Sequence, residues 1–267
     1  MDAVEHNRRA WNRESQAGSV WSQPVSAEVI ARARRGDWQI VLTPRAYVPR
    51  PWFGELRGRS VLCLASGGGQ QAPILAAAGA HVTSFDLSDE QLAKDRTVAE
   101  REGLEVRCMR GDMADLSALA DAAFDLVFHP ASNVFAPDVR RVWRECHRVL
   151  RPGGALLAGF MNPDIFMFNH DEADATGVLT VRYTLPYADI ESLAPEELQK
   201  KVARGEPLEY SHSLDAQIGG QLRAGFVLAG FYEDGWLDDS WLLSRHCPVA
   251  FATRALKPTG DSAGNAP

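Results

Sequence analysis

A run of glycines and a carboxylate nineteen residues later are the first residues of this chain whose types and spacing could do chemistry. Val61-Leu-Cys-Leu64 reads as a buried strand, and Ala65-Ser66-Gly67-Gly-Gly69-Gln70 follows it as a flexible turn. A helix-compatible run from Gln71 to Gly79 comes next. A second apolar segment, His81 to Phe85, then ends on Asp86. Glycine lets a backbone approach a ligand with no Cβ in the way. The helix opening behind the glycines presents amides without intrahelical partners. Asp86, at the carboxyl end of its strand, can take both hydroxyls of a ribose. The implied chemistry is the binding of an adenosine-containing cofactor.

Elements that could position these residues follow from the hydrophobic pattern. Strands are expected at Ser60 to Ala65, His81 to Phe85, Glu105 to Met109, Phe124 to His129 and Gly154 to Met161. Ser88 and Gln91 form a capping-box pattern at the head of the helix after the second strand. Val139, Val142, Trp143, Cys146 and Val149 make an apolar stripe at helical spacing, opened by Pro137 and closed by Arg151-Pro-Gly-Gly154. Strands alternating with helices predict a doubly wound, mostly parallel α/β sheet with right-handed crossovers. Residues 56–256 then form the main domain. An arm, residues 1–55, precedes it, with short helices near Asn7 to Ser15 and Ser26 to Trp38 and with Trp11, Trp21, Trp38 and Trp52. The arm is expected to dock on the domain or to cover the ligand. Residues 162–211 read as an irregular, aromatic and acidic insertion carrying Phe166, Phe168, Tyr183, Tyr187 and Tyr210. A helix at Leu214 to Ala224 and strands at Phe226 to Tyr232 and Pro248 to Ala255 follow, and a disordered tail is expected at 257–267.

Composition excludes several function classes. The 267 residues are 45% hydrophobic and 24% charged, as in ordinary globular proteins. The absence of a long apolar run excludes a membrane-spanning helix. The N-terminus lacks the apolar core of a secretory signal. Cys63, Cys108, Cys146 and Cys247 are far apart and form no C-x-x-C pair, which suits reduced thiols and a cytoplasmic protein. The net charge of −7 argues against a nucleic-acid partner. No histidine or cysteine set has metal-ligand spacing. His170-Asp-Glu172 reads as an acidic surface loop, and His81 and His147 as structural.

Two cofactor readings fit the glycine turn. Gly67-Gly-Gly69-Gln-Gln-Ala72 matches the dinucleotide fingerprint of an NAD-dependent oxidoreductase, but Ala65 and Ser66 intervene between strand and first glycine. The second reading comes from a resemblance. Val61-Leu-Cys-Leu-Ala-Ser-Gly-Gly-Gly69, Phe85-Asp-Leu-Ser88, Gly111-Asp-Met113, Phe124-Asp-Leu-Val-Phe128 and His147-Arg-Val-Leu-Arg-Pro-Gly-Gly154 occur in order. Residues 60 to 161 thereby resemble a class I S-adenosylmethionine-dependent methyltransferase of the ubiquinone and menaquinone biosynthesis type. The resemblance implies a Rossmann-like sheet of seven strands with an antiparallel last hairpin and S-adenosyl-L-methionine as cofactor. Ala65, Ser66, Gly67, Gly69 and Gln70 would form the cofactor loop, Asp86 would bind ribose, and Leu87, Asp112 and Met113 would surround adenine. The family's usual acid and glycine are replaced by Cys63 and Ala65, and Arg8, Arg9 and Trp11 of the arm are candidates to compensate at the cofactor's amino-acid tail.

Methyl transfer from an activated sulfonium needs an in-line nucleophile shielded from water, and positioning can supply most of the rate. A hydroxyl acceptor would gain from a general base. His129, ending the fourth strand, is the candidate base, or else it touches only the cofactor or packs locally. The insertion is expected to cap a small, partly apolar or aromatic acceptor, or its rings form core. A non-enzymatic binding protein that kept the fold is the remaining alternative.

Overall fold

The computed structural model describes residues 2–237 and 241–260. Asp2 caps α1 (Ala3–Gln16), accepting from the Val4 amide at 3.0 Å, and α2 (Ala27–Arg34) completes the helices of the arm. Strand and helix then alternate: β1 (Ser60–Leu64), α3 (Gln71–Ala77), β2 (His81–Asp86), α4 (Asp89–Glu102), β3 (Val106–Arg110), β4 (Phe124–His129), α5 (Val139–Val149) and β5 (Leu150–Met161). The chain next builds α6 (His170–Thr176), α7 (Asp189–Ser192), α8 (Pro195–Arg204) and α9 (Gly220–Arg223). It closes with β6 (Val227–Asp234) and β7 (Ala250–Leu256).

Seven strands form one sheet in the order β3-β2-β1-β4-β5-β7-β6. β1 to β5 run parallel, and β7 lies antiparallel to both β5 and β6. The order reverses between β1 and β4, so their carboxyl ends diverge and leave a crevice there. Alternation along each strand supplies two cores. Val61 and Cys63 face Ile30, Leu75, Val98 and Phe128 on one side, and Leu62 and Leu64 face Val127, Trp143, Cys146 and Leu156 on the other.

The structure differs from the sequence expectations in four places. β1 stops at Leu64 because Ala65 adopts φ 48°, a left-handed value that cannot continue a strand. The Arg151-Pro-Gly-Gly154 turn lies inside β5 as a bulge, its register against β4 jumping between Phe124 and Leu126. The insertion is not irregular, since it contains α6, α7 and α8. His170 to Glu172 open α6 rather than a loop, capped by the Asn169 side chain on the Glu172 amide at 3.0 Å. In the expected tail, Lys257 is anchored: its ammonium donates to the carbonyls of His147 and Leu150 at 2.7 and 2.8 Å, and residues 261–267 lie outside the described set.

The arm docks across the sheet and over the glycine turn. Trp38 packs edge-on to Phe53, which stacks on Phe128 of β4. The Lys94 ammonium donates to the carbonyls of Ser15 and Ser22, both at 2.6 Å, fixing the arm to α4. The Val25 amide donates to the Gly69 carbonyl at 2.8 Å. A methyl on Gly68 would lie 2.8 Å from the Trp21 carbonyl oxygen, and one on Gly69 would lie 3.0 Å from Pro24. These two glycines are demanded by the arm that crosses them.

Candidate active site

A single cavity of about 720 Å³ opens at the carboxyl edge of β1, β2 and β4, between the sheet, the arm and the insertion. Of the residues expected at the site, Ala65, Ser66, Gly67, Gln70, Asp86, Leu87, Asp112 and Met113 line its inner end. The backbone there is fixed by carboxylates. Asp86 accepts from the Gly67 amide at 3.0 Å through one oxygen and from the Ser88 amide at 2.8 Å through the other. Burial pushes the Asp86 carboxyl above its ordinary range, and these backbone donors oppose that shift. A methyl on Gly67 would sit 2.8 Å from the Gln91 Cβ and 3.2 Å from the Asp86 carboxylate. Asp112 accepts from the Ala114 amide at 2.9 Å, which holds it in the turn after β3. Next to it, Gly111 has no room for a Cβ, which would meet the Phe85 ring at 2.1 Å.

Two buried polar atoms at this end, Ser66 Oγ and Gln91 Oε1, have no hydrogen-bond partner among the described residues. Both residues line the cavity.

Two expected site residues lie elsewhere. Gly69 is not on the cavity wall: its amide donates to Asp95 at 2.7 Å and its carbonyl accepts from the arm. His129 is fully buried and also off the wall. Alternation along β4 turns it to the same face as Val127, toward α5, where it packs edge-on to Trp143. Its Nδ1 sits 3.0 Å from the Leu64 carbonyl, and burial lowers its pKa to about 4. An imidazole so placed stays neutral, its Nε2 is buried with no partner among the described residues, and the structure does not bring it to the cavity wall, as the expectation of a catalytic or cofactor-contacting His129 would need.

Asp95 was not expected. It lies on the inward stripe of α4 with Gln91, Leu92, Val98 and Ala99, fully buried, and bonds Ser84 Oγ at 2.6 Å through its second oxygen. Burial raises its pKa to about 7. A polar pair, Gln91 and Asp95, at i and i+4 on an otherwise apolar helix face is the signal that marks it in the sequence.

The outer end of the cavity is lined by the insertion. Phe166, Phe168, Tyr183 and Tyr187 are on its wall, whereas Tyr210 is packed behind it. His170 stacks on Trp241 at 4.3 Å, and Trp241 on Trp236 at 3.9 Å, so the expected surface histidine is part of an aromatic wall. Among the described residues no group of three His, Cys, Asp or Glu side chains could hold a metal ion.

Asn7 of the arm ties the two ends together. Buried to 1% exposure, it donates to the carbonyls of Leu208 at 2.9 Å and Phe135 at 3.3 Å, and accepts from the Leu208 amide at 2.7 Å. No local pattern announces contacts spanning 201 residues. Trp11 lines the cavity against Phe135 at 5.0 Å. Arg8 and Arg9 do not compensate for the missing acid at position 63, because Glu5 engages both and Asp89 also holds Arg8.

Comparison with known proteins accounts for this architecture. Residues 62–158 match the family model described as a methyltransferase domain. A protein of Bacillus subtilis named as an uncharacterized methyltransferase, YbaJ, is 47% identical over 225 residues, covering 84% of this chain and 88% of its own. A ubiquinone biosynthesis O-methyltransferase of Bordetella avium is 31% identical over 117 residues, spanning 43% of this chain and 48% of that protein. The solved S-adenosylmethionine-dependent methyltransferase of Mesorhizobium loti superposes with a TM-score of 0.59 at 22% identity, covering 78% of this chain and 94% of that one, and shows the shared fold. The dinucleotide fingerprint is thereby set aside, and the chain belongs to the class I S-adenosylmethionine-dependent methyltransferases.

Proposed function

We propose that the protein methylates a small, largely apolar or aromatic molecule enclosed in this cavity, with the cofactor at the inner end and the acceptor under the insertion. The observation that carries the reading is the single continuous cavity of about 720 Å³, whose volume lies within the usual range for small-ligand sites. Its inner end fits the cofactor. Ser66, Gly67 and Gln91 line it beside Asp86 and Asp112, so polar side chains and exposed backbone face the space an adenosine ligand would take. Asp86 would take the ribose hydroxyls, Asp112 the adenine amino group, and Leu87 and Met113 the faces of the ring. Ala65, Ser66 and Gln70 would border the amino-acid tail.

When bound, the cofactor supplies an electrophilic methyl group on a sulfonium. The protein's part is to orient the acceptor and exclude water. The arm, through Trp11 and Asn7, and the insertion, through Phe166 and Tyr187, close the cavity on two sides. With His129 buried away from the cavity, proton removal from the acceptor falls to other groups. All four cysteines are free thiols, two of them buried, which supports action in the reducing cytoplasm.

Methyl transfer from methyl-labelled S-adenosylmethionine to a panel of small aromatic acceptors, alongside transfer RNA and unfolded protein, tests the reading. Label is expected in the small-molecule fraction. Label confined to nucleic acid or protein would refute it.

A further inference from the structure

The insertion fixes one phenol at the outer end of the cavity so that its hydrogen is already committed. Tyr187 Oη donates to Asp189 at 2.6 Å. Asp189, 1% exposed, is itself held as an acceptor: its other oxygen receives the Lys201 ammonium at 2.8 Å and the Glu209 amide at 2.7 Å. With its second oxygen already taken by two donors, Asp189 accepts the phenol hydrogen and the phenol oxygen keeps its lone pairs. Burial, with Asp189 adding to it, raises the phenol well above its ordinary range, so Tyr187 stays protonated.

The ring cannot easily turn away from this arrangement. It stacks on Phe166 at 5.5 Å and meets the edge of Tyr183 at 5.1 Å. Its backbone is paired with Ser211 in both directions, the Tyr187 amide to Ser211 Oγ at 2.7 Å and the Ser211 amide to the Tyr187 carbonyl at 2.8 Å. The neighbouring Tyr210 amide donates to the Val134 carbonyl at 2.8 Å, which fastens the segment to the turn after β4. A polar atom with fixed direction, set among aromatic rings, is how a small-molecule site chooses its ligand.

We infer that Tyr187 is an acceptor-binding residue that receives a hydrogen bond, so the methyl acceptor presents an N–H or O–H on an aromatic frame and not a carboxylate. The inference rests on the reading of the outer end as the acceptor site. The charge nearby agrees with it. Lys201 is shared between Asp189 and Glu209, whose carboxylate lies 3.6 Å from the ammonium, and the wall at this end sets five carboxylates against Lys200, Lys201 and Arg204, so an anionic group would meet an excess of negative charge.

Aniline, benzyl alcohol, toluene and benzoate, titrated onto the full chain saturated with S-adenosylhomocysteine and followed by saturation-transfer NMR, test this directly. The amine and alcohol are expected to bind at least tenfold tighter than toluene, and benzoate not to bind. Tyr187→Phe keeps the ring stack and should erase that preference, with toluene binding and S-adenosylhomocysteine affinity unchanged. Tyr210→Phe, behind the wall, should leave the preference intact. Benzoate binding as tightly as aniline, or a preference that survives Tyr187→Phe, would overturn the inference. Failure of the wild-type chain to bind S-adenosylhomocysteine in calorimetry would instead overturn the cofactor reading and the inference with it.

Discussion

The two ends of the cavity are built from different materials. At the inner end, strand termini and backbone amides make the surface: Asp86 takes one backbone amide on each oxygen, from Gly67 and Ser88, and keeps further lone pairs, and Gly67 and Gly111 are forced by close approach. At the outer end the wall consists of side chains from an insertion, held together by a Tyr187–Asp189–Lys201 network and aromatic stacking. A backbone-built surface admits few residue types, whereas a side-chain wall can be re-lined without disturbing the sheet. The difference separates the end that would hold the cofactor from the end that would choose the acceptor.

Breaking the tie between the ends should have the largest effect. Asn7→Ala would leave the buried amide and carbonyl of Leu208 unpaired, and unpaired buried groups cost about 1–3 kcal/mol each. A loss of at least about 2 kcal/mol in urea unfolding is expected, together with weaker binding of both cofactor and acceptor. A variant as stable as wild type would show that the arm is not a structural part of the site.

Asp86→Ala should come next. It should cost about 1.5–3 kcal/mol of cofactor affinity, the usual worth of charge-assisted hydrogen bonds, while leaving probe binding at the outer end untouched. Such selectivity would sharpen the division between the two ends. Equal loss at both would erase it.

Asp95 gives a smaller, pH-graded effect within the inner end. Its pKa is raised in the folded state from 3.8 to about 7, so the folded protein binds the extra proton between those values. Stability from this group therefore falls as pH rises from about 4 to 7. Asp95→Asn can still accept from the Gly69 amide and should be more stable than wild type above pH 7, by on the order of 1 kcal/mol or more, and not near pH 4. Thermal melts across that range would show the converging curves, and parallel curves would contradict the assignment.

His129 should matter least to chemistry. Its lowered pKa of about 4 makes it a neutral core residue, and its contribution to stability is lost as pH falls from 6.5 toward 4. The pH profile of methyl transfer near neutrality should be the same in His129→Gln as in wild type. A displaced profile would restore the histidine as a base.

The same difference in material explains what the sequence made legible. β1 declared itself because a strand buried on both faces reads as a continuous apolar run, and β2 and β4 followed from shorter apolar segments in alternation with helices. The residues at their ends then followed from the geometry of parallel sheets. Gly67 and Asp86 were expected on that ground and Asp112 and Met113 through the family resemblance, and all four line the cavity. Alternation was needed to place His129, and following it along β4 from Val127 would have put the imidazole under α5. Gly69 was misplaced because its glycine serves the arm, a contact across 44 residues that no local pattern carries. The insertion's aromatic residues were visible as a composition. Their arrangement depends on pairings such as Tyr187 with Ser211 and Asn7 with Leu208, which arise only once the chain has closed on itself.

Isothermal titration of S-adenosylmethionine, S-adenosylhomocysteine and NAD onto wild type and Asp86→Ala tests the central claim most directly. The account predicts one-to-one binding of both adenosyl ligands, at least tenfold weaker in Asp86→Ala, and no heat from NAD. Binding of NAD alone, or an affinity indifferent to Asp86, would contradict it.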